Sequence, residues 1–389
     1  MEWQLTLEVI FWAGAAALFY AYIGYPLILF FLSRAFGEER KEASEGAPLP
    51  SVSVLVAAYN EEKNIGEKIR NTLSLDYPKG LLEVVVASDG SADGTADIVR
   101  SFSAKDGRVR LLDFPRGGKA RALALAMPQL RGEIVFFSDA NTECEKSALR
   151  LIAGAFGDRR VGCVSGRLVY RNPGGIVSGK GESFYWRYET WLKKFESRLG
   201  CVSGANGAAY AIRKELFETP PEGTVNDDFV IPTMVAARGR RSVYEERALV
   251  YEDVAASVRG EFRRHVRDGA GHYIAVWHLS RLLNPFLGLH AFIFWSHRVF
   301  RWGAPFILPA VFVLNAMLLE KEVYRLAFAA QSVFYAAALL GFLGRGQGKL
   351  PFLFHAPFYF CNLNLALFIG FVKAVSGRQK MTWERAGRA

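Results

Sequence analysis

Long apolar runs lie at both ends of this chain, and a region of short apolar segments separated by polar turns lies between them. Residues 6–32 carry a single acid, Glu8, near their start. A bilayer core needs about 20 apolar residues, so this run predicts a membrane-spanning helix. The run is too long for a signal-peptide core and no small-residue cleavage site follows it. Residues 1–36 are therefore expected to form an uncleaved anchor.

Basic residues lie on only one side of this first run. Arg34, Arg40 and Lys41 follow it, and no Lys or Arg precedes it. The positive-inside rule then places the N-terminus outside and the following domain in the cytoplasm. The polar segment 37–50 predicts a linker to that domain.

The middle of the chain alternates two kinds of segment. Short β-rich runs at 51–58, 82–88 and 133–140 are separated by helix-like stretches at 61–73 and 117–130. Strands that alternate with helices predict a parallel sheet with helices on both faces, and ligands of such sheets bind beyond the carboxyl ends of the strands. Three groups of polar residues follow these runs: Tyr59-Asn60-Glu61, Asp89 and Asp139.

Residues 179–199 mix aromatic residues with charges of both signs, which predicts an amphipathic helix. A surface helix and a helix that lies at the membrane interface or contacts an acceptor, with Trp186 as a contact, fit this pattern equally well. Residues 276–302 are too charged to span a membrane and predict interfacial helices. Apolar runs at 303–319 and 324–344 predict two spans.

A third apolar element follows at 351–377. It contains Cys361, Asn362 and Asn364, and polar groups in lipid need partners. Pro351 and Pro357 also weaken a continuous helix. We therefore expect a segment that does not fully cross the membrane, which leaves the basic tail 378–389 in the cytoplasm, where its charge suits the anionic leaflet.

Composition limits the classes of function. Hydrophobic residues make up 51% of the chain, the mean hydropathy is +0.11, and the formal net charge is +10. Such a charge suits nucleic acid, an anionic membrane surface or a phosphorylated substrate, and the apolar runs exclude nucleic acid. The four cysteines form no CxxC pair, which predicts free thiols in a reducing compartment.

The polar strand ends carry candidate chemistry, although each is ambiguous alone. Asp89 could cap a turn. Gly117-Gly118-Lys119 could begin a helix that binds phosphate, but the spacing of a P-loop is absent. Asp139 is a natural ligand for Mg²⁺ or Mn²⁺, with Asn141 as a second oxygen donor, and a simple Asx turn is the alternative.

Two charged clusters follow in the second half of the chain. Asp227 and Asp228 precede an apolar run, where they could complement a helix dipole or supply a general base. Arg263, Arg264 and Arg267 could bind a diphosphate or lie at lipid head groups.

The order of these motifs resembles that of the family-2 glycosyltransferases, in the membrane-bound branch that contains cellulose, chitin and hyaluronan synthases and bacterial exopolysaccharide glycosyltransferases. The resemblance covers about residues 50–275. It implies an α/β fold over 51–275, the GT-A nucleotide-sugar-binding domain with its Rossmann-like mixed sheet. One N-terminal and two to three C-terminal membrane helices (303–377), plus interfacial helices, would flank that domain.

The resemblance also implies roles for individual residues. Those expected to bind a UDP-sugar donor are Ala58, Tyr59, Glu61, Asp89, Lys119, Asp139, Arg264 and Arg267. Asp139 and Asn141 are expected to bind Mg²⁺ or Mn²⁺. Asp228 resembles the catalytic base, with Asp227 as its acidic neighbour. The residues expected to contact an acceptor are Gly204, Ala205, Asn206 and Trp186.

Two departures from the family pattern affect these expectations. The family's DxD motif reads Asp139-Ala140-Asn141, so its second acid is lost and metal coordination depends more on the donor phosphates. The QxxRW motif of processive synthases is reduced to an arginine within residues 264–268. Single addition to a lipid-linked oligosaccharide fits this pattern at least as well as processive synthesis.

The expected function is inverting transfer of a sugar from a UDP-sugar to a lipid-linked oligosaccharide or growing glycan, at the cytoplasmic face of a bacterial-type inner membrane. A polyprenyl phosphate or a diacylglycerol is an alternative acceptor. An inactive membrane scaffold that serves polysaccharide export partners is an alternative of another class. That reading requires loss of the acids, yet Asp89, Asp139, Asp227 and Asp228 are all present.

Overall fold

Eight strands form one mixed sheet in the order β3-β2-β1-β4-β7-β6-β8-β5. The computed structural model describes residues 2–39, 48–171, 179–253, 258–344 and 351–379, without the side chains of 179–184 and 258–259. The strands are β1 Val52–Ala58, β2 Leu82–Asp89, β3 Val109–Phe114, β4 Ile134–Asp139, β5 Thr142–Cys144, β6 Val161–Arg171, β7 Tyr210–Arg213 and β8 Arg241–Asp253.

The helices are α1 Glu2–Phe36, α2 Ile65–Leu73, α3 Thr95–Ser103, α4 Lys119–Ala126, α5 Ala148–Gly154, α6 Gly179–Arg198, α7 Asp227–Ala237, α8 Val258–His278, α9 Leu289–Met317, α10 Glu322–Leu343 and α11 Phe352–Val375. Short 3₁₀ turns join several of them. The strands and helices predicted for the first half occur in the predicted order, and two further elements, α3 and β3, lie between β2 and α4.

Strands β1 to β4 pair in parallel, as the alternating pattern predicts. The register pairs Ala57 with Asp139 and Ala58 with Ser88, so three strands end at the same edge of the sheet. The other half of the sheet differs, because β7 pairs antiparallel with both β4 and β6. The sheet is thus mixed, which confirms the expected GT-A type of fold.

Apolar side chains fill both faces of the sheet, because successive residues of a strand point to opposite sides. Val54 and Val56 lie in the core under α2 and α5, and Leu55 and Ala57 lie in the core under α4. All seven residues of β1 are buried. The first half of the sheet is therefore a rigid platform, and polar side chains at its edge are held in fixed positions.

Four helices, α1, α9, α10 and α11, are long and apolar enough to cross a membrane. Helix α9 is continuous from Leu289 to Met317, with π-helical turns at Phe294–Val299, so no helix boundary lies at residue 302. Helix α1 also contains a π-helical segment, Tyr20–Gly24, and the hydroxyl oxygens of Tyr20 and Ser296 are 2.6 Å apart. The two irregular segments therefore face each other.

Helix α11 corrects one expectation. Prolines were expected to interrupt this segment, yet the helix is continuous over 24 residues. Pro351 precedes the helix and Pro357 lies near its start, where the loss of one N–H donor leaves the rest of the helix intact. Asn364 donates to the carbonyl of Phe360, so a local bond partly satisfies its polar group. The tail beyond residue 379 lies outside the described residues, and its side of the membrane stays a prediction.

That prediction can be tested with a reporter that is active only outside the cytoplasm, fused after residue 389. We expect no signal, because the basic tail favours the anionic cytoplasmic leaflet. A fusion to the linker at residue 45 serves as the cytoplasmic control. A strong signal from the C-terminal fusion would mean that α11 crosses the membrane together with α1, α9 and α10.

Candidate active site

The turn that follows β1 is bonded to the turn that follows β2. Asn60 has a φ of 53°, a left-handed conformation that asparagine tolerates better than most residues. Its side-chain oxygen accepts from the N–H of Ala92 at 2.8 Å, and its own N–H donates to the hydroxyl of Ser91 at 3.1 Å. Glu61 donates through its N–H to Thr95 at 2.8 Å. These bonds hold Ala58, Tyr59 and Glu61 beside the turn that follows Asp89, and their role in donor binding stays a prediction.

Asp89 is held by the start of α4. Its carboxylate accepts from the N–H groups of Gly117 and Gly118 at 2.7 and 2.9 Å, and from the guanidinium of Arg116 at 2.8 Å. Gly118 has a φ of 96°, which a residue with a side chain rarely adopts. The Arg116 guanidinium also lies over the Tyr59 ring, 3.2 Å from its centroid. Arg116, which the sequence analysis did not select, therefore joins the two predicted donor contacts.

Lys119 stands between two acids that are distant in sequence. Its ammonium is 2.9 Å from Asp139 at the end of β4 and 3.2 Å from Asp227 at the start of α7. Burial lowers the pKa of Lys119, but the carboxylates of Asp139, Asp227 and Asp228 outweigh it and raise the pKa above its ordinary value. The lysine is therefore a permanent cation at this edge of the sheet.

Asp227 and Asp228 begin α7, as the sequence predicts. Asp227 is 4% exposed, and the hydroxyl of Tyr210 donates to its carboxylate at 3.4 Å. Burial raises its pKa despite the nearby Lys119. Burial and the adjacent Asp227 raise the pKa of Asp228 to about 7. A carboxylate with a raised pKa is a stronger base at neutral pH, so Asp228 suits general base catalysis.

The loop at 202–207 lies against Asp228. The N–H of Ala205 donates to the backbone carbonyl of Asp228 at 3.0 Å, and a Cβ at Gly207 would lie 2.9 Å from its carboxylate. The Asn206 side chain accepts from Lys193 at 2.6 Å and donates to the carbonyl of Gly166 at 2.7 Å. Its amide thus fixes the loop. Gly204 and Ala205 remain the predicted acceptor contacts.

Asn141, the second predicted metal ligand, donates to Glu252 of β8 at 3.2 Å. Within the described ranges, no group of three or more His, Cys, Asp or Glu side chains is arranged to hold a metal ion. The protein therefore offers few ligands of its own at this edge, in line with the lost second acid.

Arg264 and Trp186 share one aromatic neighbour. Arg264 donates to the hydroxyl of Tyr170 at 3.2 Å, and the Tyr170 and Trp186 rings are 5.2 Å apart. Arg267 pairs with Asp268 at 3.2 Å. The structure thus places a predicted donor contact and a predicted acceptor contact in one patch, around a tyrosine that the sequence analysis missed.

A buried ionic cluster connects α6 with α9. His297 is 1% exposed, and its ring nitrogens lie 2.6 Å from Glu196 and 3.3 Å from Glu189. Arg301 pairs with Glu189 at 2.6 Å. Glu196 also accepts from the N–H of Ser203 at 3.0 Å, so the cluster reaches the loop beside Asp228. Two of the charged side chains that made this part of the chain look interfacial, His297 and Arg301, are therefore paired inside the protein.

Comparison with known proteins agrees with this geometry. Residues 53–219 match the model of Glycosyl transferase family 2. The chain is 30% identical over 186 residues to the beta-monoglucosyldiacylglycerol synthase of Trichormus variabilis, which covers 46% of this chain and 40% of that protein. It is 25% identical over 257 residues to the poly-beta-1,6-N-acetyl-D-glucosamine synthase of Staphylococcus epidermidis, which covers 65% of this chain and 62% of that protein.

The chain spans less than two-thirds of the length of these curated relatives. Among solved structures, the mannosyltransferase PcManGT from Pyrobaculum calidifontis, in complex with GDP-Man and Mn²⁺, has the same fold with a TM-score of 0.69. That match covers 96% of this chain and 99% of the other at 23% identity, so the likeness includes the apolar helices.

The cation at the centre of the site can be tested through stability. Replacing Lys119 with Ala removes the cation that lies beside three carboxylates. We expect the free energy of unfolding at pH 7.5, measured by thermal unfolding, to fall by about 1–3 kcal/mol. The pKa values of Asp227 and Asp228 are already raised by burial, and removing the cation raises them further, so the lost stability should return as the pH falls towards 5 and these acids bind protons. Lys119→Arg is the matched control. An equal loss at both pH values would contradict this account.

Proposed function

We propose that the chain is a membrane-bound inverting glycosyltransferase, because residues 53–219 match the model of Glycosyl transferase family 2. It transfers a sugar from a UDP-sugar to a lipid-linked oligosaccharide or growing glycan. The observation that supports this most is the convergence of Lys119, Asp139, Asp227 and Asp228 at the edge where Tyr59 and Asp89 also lie. Such an edge offers a nucleotide site, a cation for a diphosphate and a base.

The donor would bind along this edge in a fixed order. The nucleoside lies at the paired turns of Tyr59 and Asp89, and its diphosphate extends towards Lys119 at the start of α4. Lys119 then stabilises the negative charge that develops on the leaving nucleoside diphosphate. Arg264 and Arg267 are proposed to add positive charge from α8. This order leaves the anomeric carbon of the sugar facing Asp228.

Asp228 acts as the general base. It takes the proton of the acceptor hydroxyl as that oxygen forms a bond to the anomeric carbon, while the bond from this carbon to the diphosphate oxygen breaks. Attack from the face opposite the leaving group inverts the configuration. Positioned base catalysis contributes about 10²–10⁴-fold to the rate. The raised pKa of Asp228 supports this role.

A divalent ion, Mg²⁺ or Mn²⁺, is proposed to bind at Asp139. Asp139 ends β4 at the edge of the sheet, and one of its carboxylate oxygens accepts from Lys119 at 2.9 Å. Asn141 is the second proposed ligand, and donor phosphates and water complete the coordination, as is usual where a protein supplies few oxygen ligands. When bound, the ion neutralises charge on the diphosphate.

The four apolar helices support a membrane-bound enzyme. The catalytic domain is proposed to face the cytoplasm, where UDP-sugars are made, in a bacterial-type inner membrane. Polysaccharide export proteins are proposed partners. A polyprenyl phosphate or a diacylglycerol is a second candidate acceptor. The relatives include a poly-beta-1,6-N-acetyl-D-glucosamine synthase and a beta-monoglucosyldiacylglycerol synthase, so a glycan acceptor and a lipid acceptor both stay open.

The base assignment predicts the effect of a conservative substitution. Asp228→Asn should reduce transfer by at least about 10²-fold, because it removes proton abstraction but little volume. The measurement is radiolabel transferred from a panel of UDP-sugars into membranes. UDP binding to Asp228→Asn should stay near that of the wild type. If Asp228→Asn kept near-normal turnover while Asp227→Asn was inactive, the general base would be Asp227 and not Asp228.

The metal assignment predicts that transfer requires Mg²⁺ or Mn²⁺. Excess EDTA should abolish activity, because the donor diphosphate loses its neutralising ion, and added Mn²⁺ or Mg²⁺ should restore it. UDP should stabilise the wild type against thermal unfolding more strongly with Mn²⁺ than without, and Asp139→Asn should lose this difference. Full activity in EDTA would contradict the metal requirement and would show that Lys119, Arg264 and Arg267 neutralise the diphosphate without a metal ion.

A further inference from the structure

A cavity of about 800 Å³ lies between α6, α8 and the apolar helices α9, α10 and α11. This volume falls in the range of about 300–1,000 Å³ that ligand pockets occupy. One wall is apolar and comes from α10 and α11, with Phe334, Phe352, Leu353, Phe360 and Leu363. The charged and polar residues of the lining come from α8 and α9: His265, Asp268, His272, Arg298 and Arg301. We call these five residues the polar wall, and a lining of this mixed character fits an amphiphile.

The polar wall carries one arginine, Arg298, that forms no ion pair within the described residues. Arg301 is paired with Glu189, and Asp268 is paired with Arg267. Arg298 donates to the carbonyl of Ser203 at 3.1 Å, and no carboxylate of the described residues lies within 4 Å of its guanidinium. A partly buried arginine in this position favours an anionic ligand, and phosphate suits its planar array of donors.

His272 adds a neutral polar group beside this arginine. Its ring stacks on Trp302 at 5.0 Å, and its Nδ1 is buried without a hydrogen-bond partner in the described part of the chain. Burial, followed by the charge of Arg298, lowers the pKa of His272 to about 4. His272 is therefore neutral at pH 7, and Arg298 is the charged group beside it.

The polar wall adjoins the residues that begin α7. The ring of Phe229, which follows Asp228, is 5.4 Å from the ring of His272 and 5.5 Å from that of Trp302. The side chain of Asn226 donates to the backbone carbonyl of Asp268 at 2.8 Å. An amphiphile with its head group on the polar wall would therefore end close to Asp228.

We propose that this cavity binds the acceptor, and that the acceptor is a lipid with a phosphate in its head group. Its apolar chain lies along α10 and α11, its phosphate is bound by Arg298, and its hydroxyl-bearing end faces Asp228. The role as acceptor rests on the proposed transferase function. The binding of a phosphate-bearing amphiphile in the cavity does not.

The experiment measures thermal unfolding of the full chain in phosphatidylcholine nanodiscs with three probes: dodecyl phosphate, dodecanol and inorganic phosphate. A ligand that binds only the folded protein raises its melting temperature. Dodecyl phosphate should raise it by several degrees at saturation, and dodecanol and inorganic phosphate by far less. Equal shifts from dodecyl phosphate and dodecanol would overturn the phosphate assignment in favour of a neutral acceptor lipid.

Matched variants locate the binding. Leu363→Trp adds bulk inside the cavity and should abolish the shift, whereas Leu365→Trp changes an exposed residue of the same helix and should keep it. Arg298→Gln should lower the ratio of the apparent affinities for dodecyl phosphate and dodecanol by at least about tenfold, because the variant loses a charge-assisted bond to the phosphate. Arg281→Gln, at an exposed site, is its control. Equal responses of Leu363→Trp and Leu365→Trp would overturn the cavity as the site.

Donor binding in the same nanodiscs separates this inference from the proposed function. UDP with Mn²⁺ should stabilise the wild type and all four variants alike, which also shows that each variant is folded. If UDP fails to stabilise the wild type while dodecyl phosphate does, the transferase proposal is wrong and the lipid site stands. If UDP stabilises every protein and dodecyl phosphate none, the lipid site is wrong.

Discussion

The site depends on a single charge constraint, which is that three carboxylates from two distant parts of the chain share one lysine. Asp139 ends a strand, Asp227 and Asp228 begin a helix, and Lys119 lies within 3.2 Å of the first two. Carboxylates that contact one ammonium lie close enough to repel each other strongly in a partly buried site. The lysine makes their approach tolerable, and the sheet register fixes where it happens. A donor diphosphate would change this balance, since it brings negative charge to the same ammonium.

The membrane part is tied to this site through a second ionic cluster. Glu196 of α6 accepts from Tyr25 of α1 at 2.7 Å, contacts His297 of α9 and accepts from Ser203. Because Ser203 belongs to the loop that contacts Asp228, a movement of α1 or α9 has a direct route to the candidate base. His297 lies in the π-helical turns of α9, and Tyr25 directly follows the π-helical segment of α1; π-helical turns are frequent at functional sites.

Local sequence predicted three of the four parallel strands and the polar residues at their ends, because strand ends, glycine turns and acid pairs leave short-range signals, but it did not predict β3. Strands β1, β2 and β4 begin and end within one residue of the predicted runs. The antiparallel half was not predictable in this way, since β7 has only four residues and its position depends on pairing with β4 and β6. The Glu196–His297 contact joins residues 101 apart, and each looks like an ordinary charge on an amphipathic helix.

The same reasoning explains why the direction of acceptor approach emerges only from the fold. In the sequence, Asp227 and Asp228 are two adjacent acids, and nothing there assigns them different surroundings. In the structure, Asp227 turns towards Lys119 and Tyr210, whereas Asp228 lies against the loop at 202–207, and the next residue, Phe229, packs on His272 and Trp302. The first three residues of α7 thus lead from the cation of the proposed donor site to the rings beside the proposed lipid cavity. As the proposed base at that boundary, Asp228 would receive a proton from a substrate that stays in the bilayer while the nucleotide stays in water.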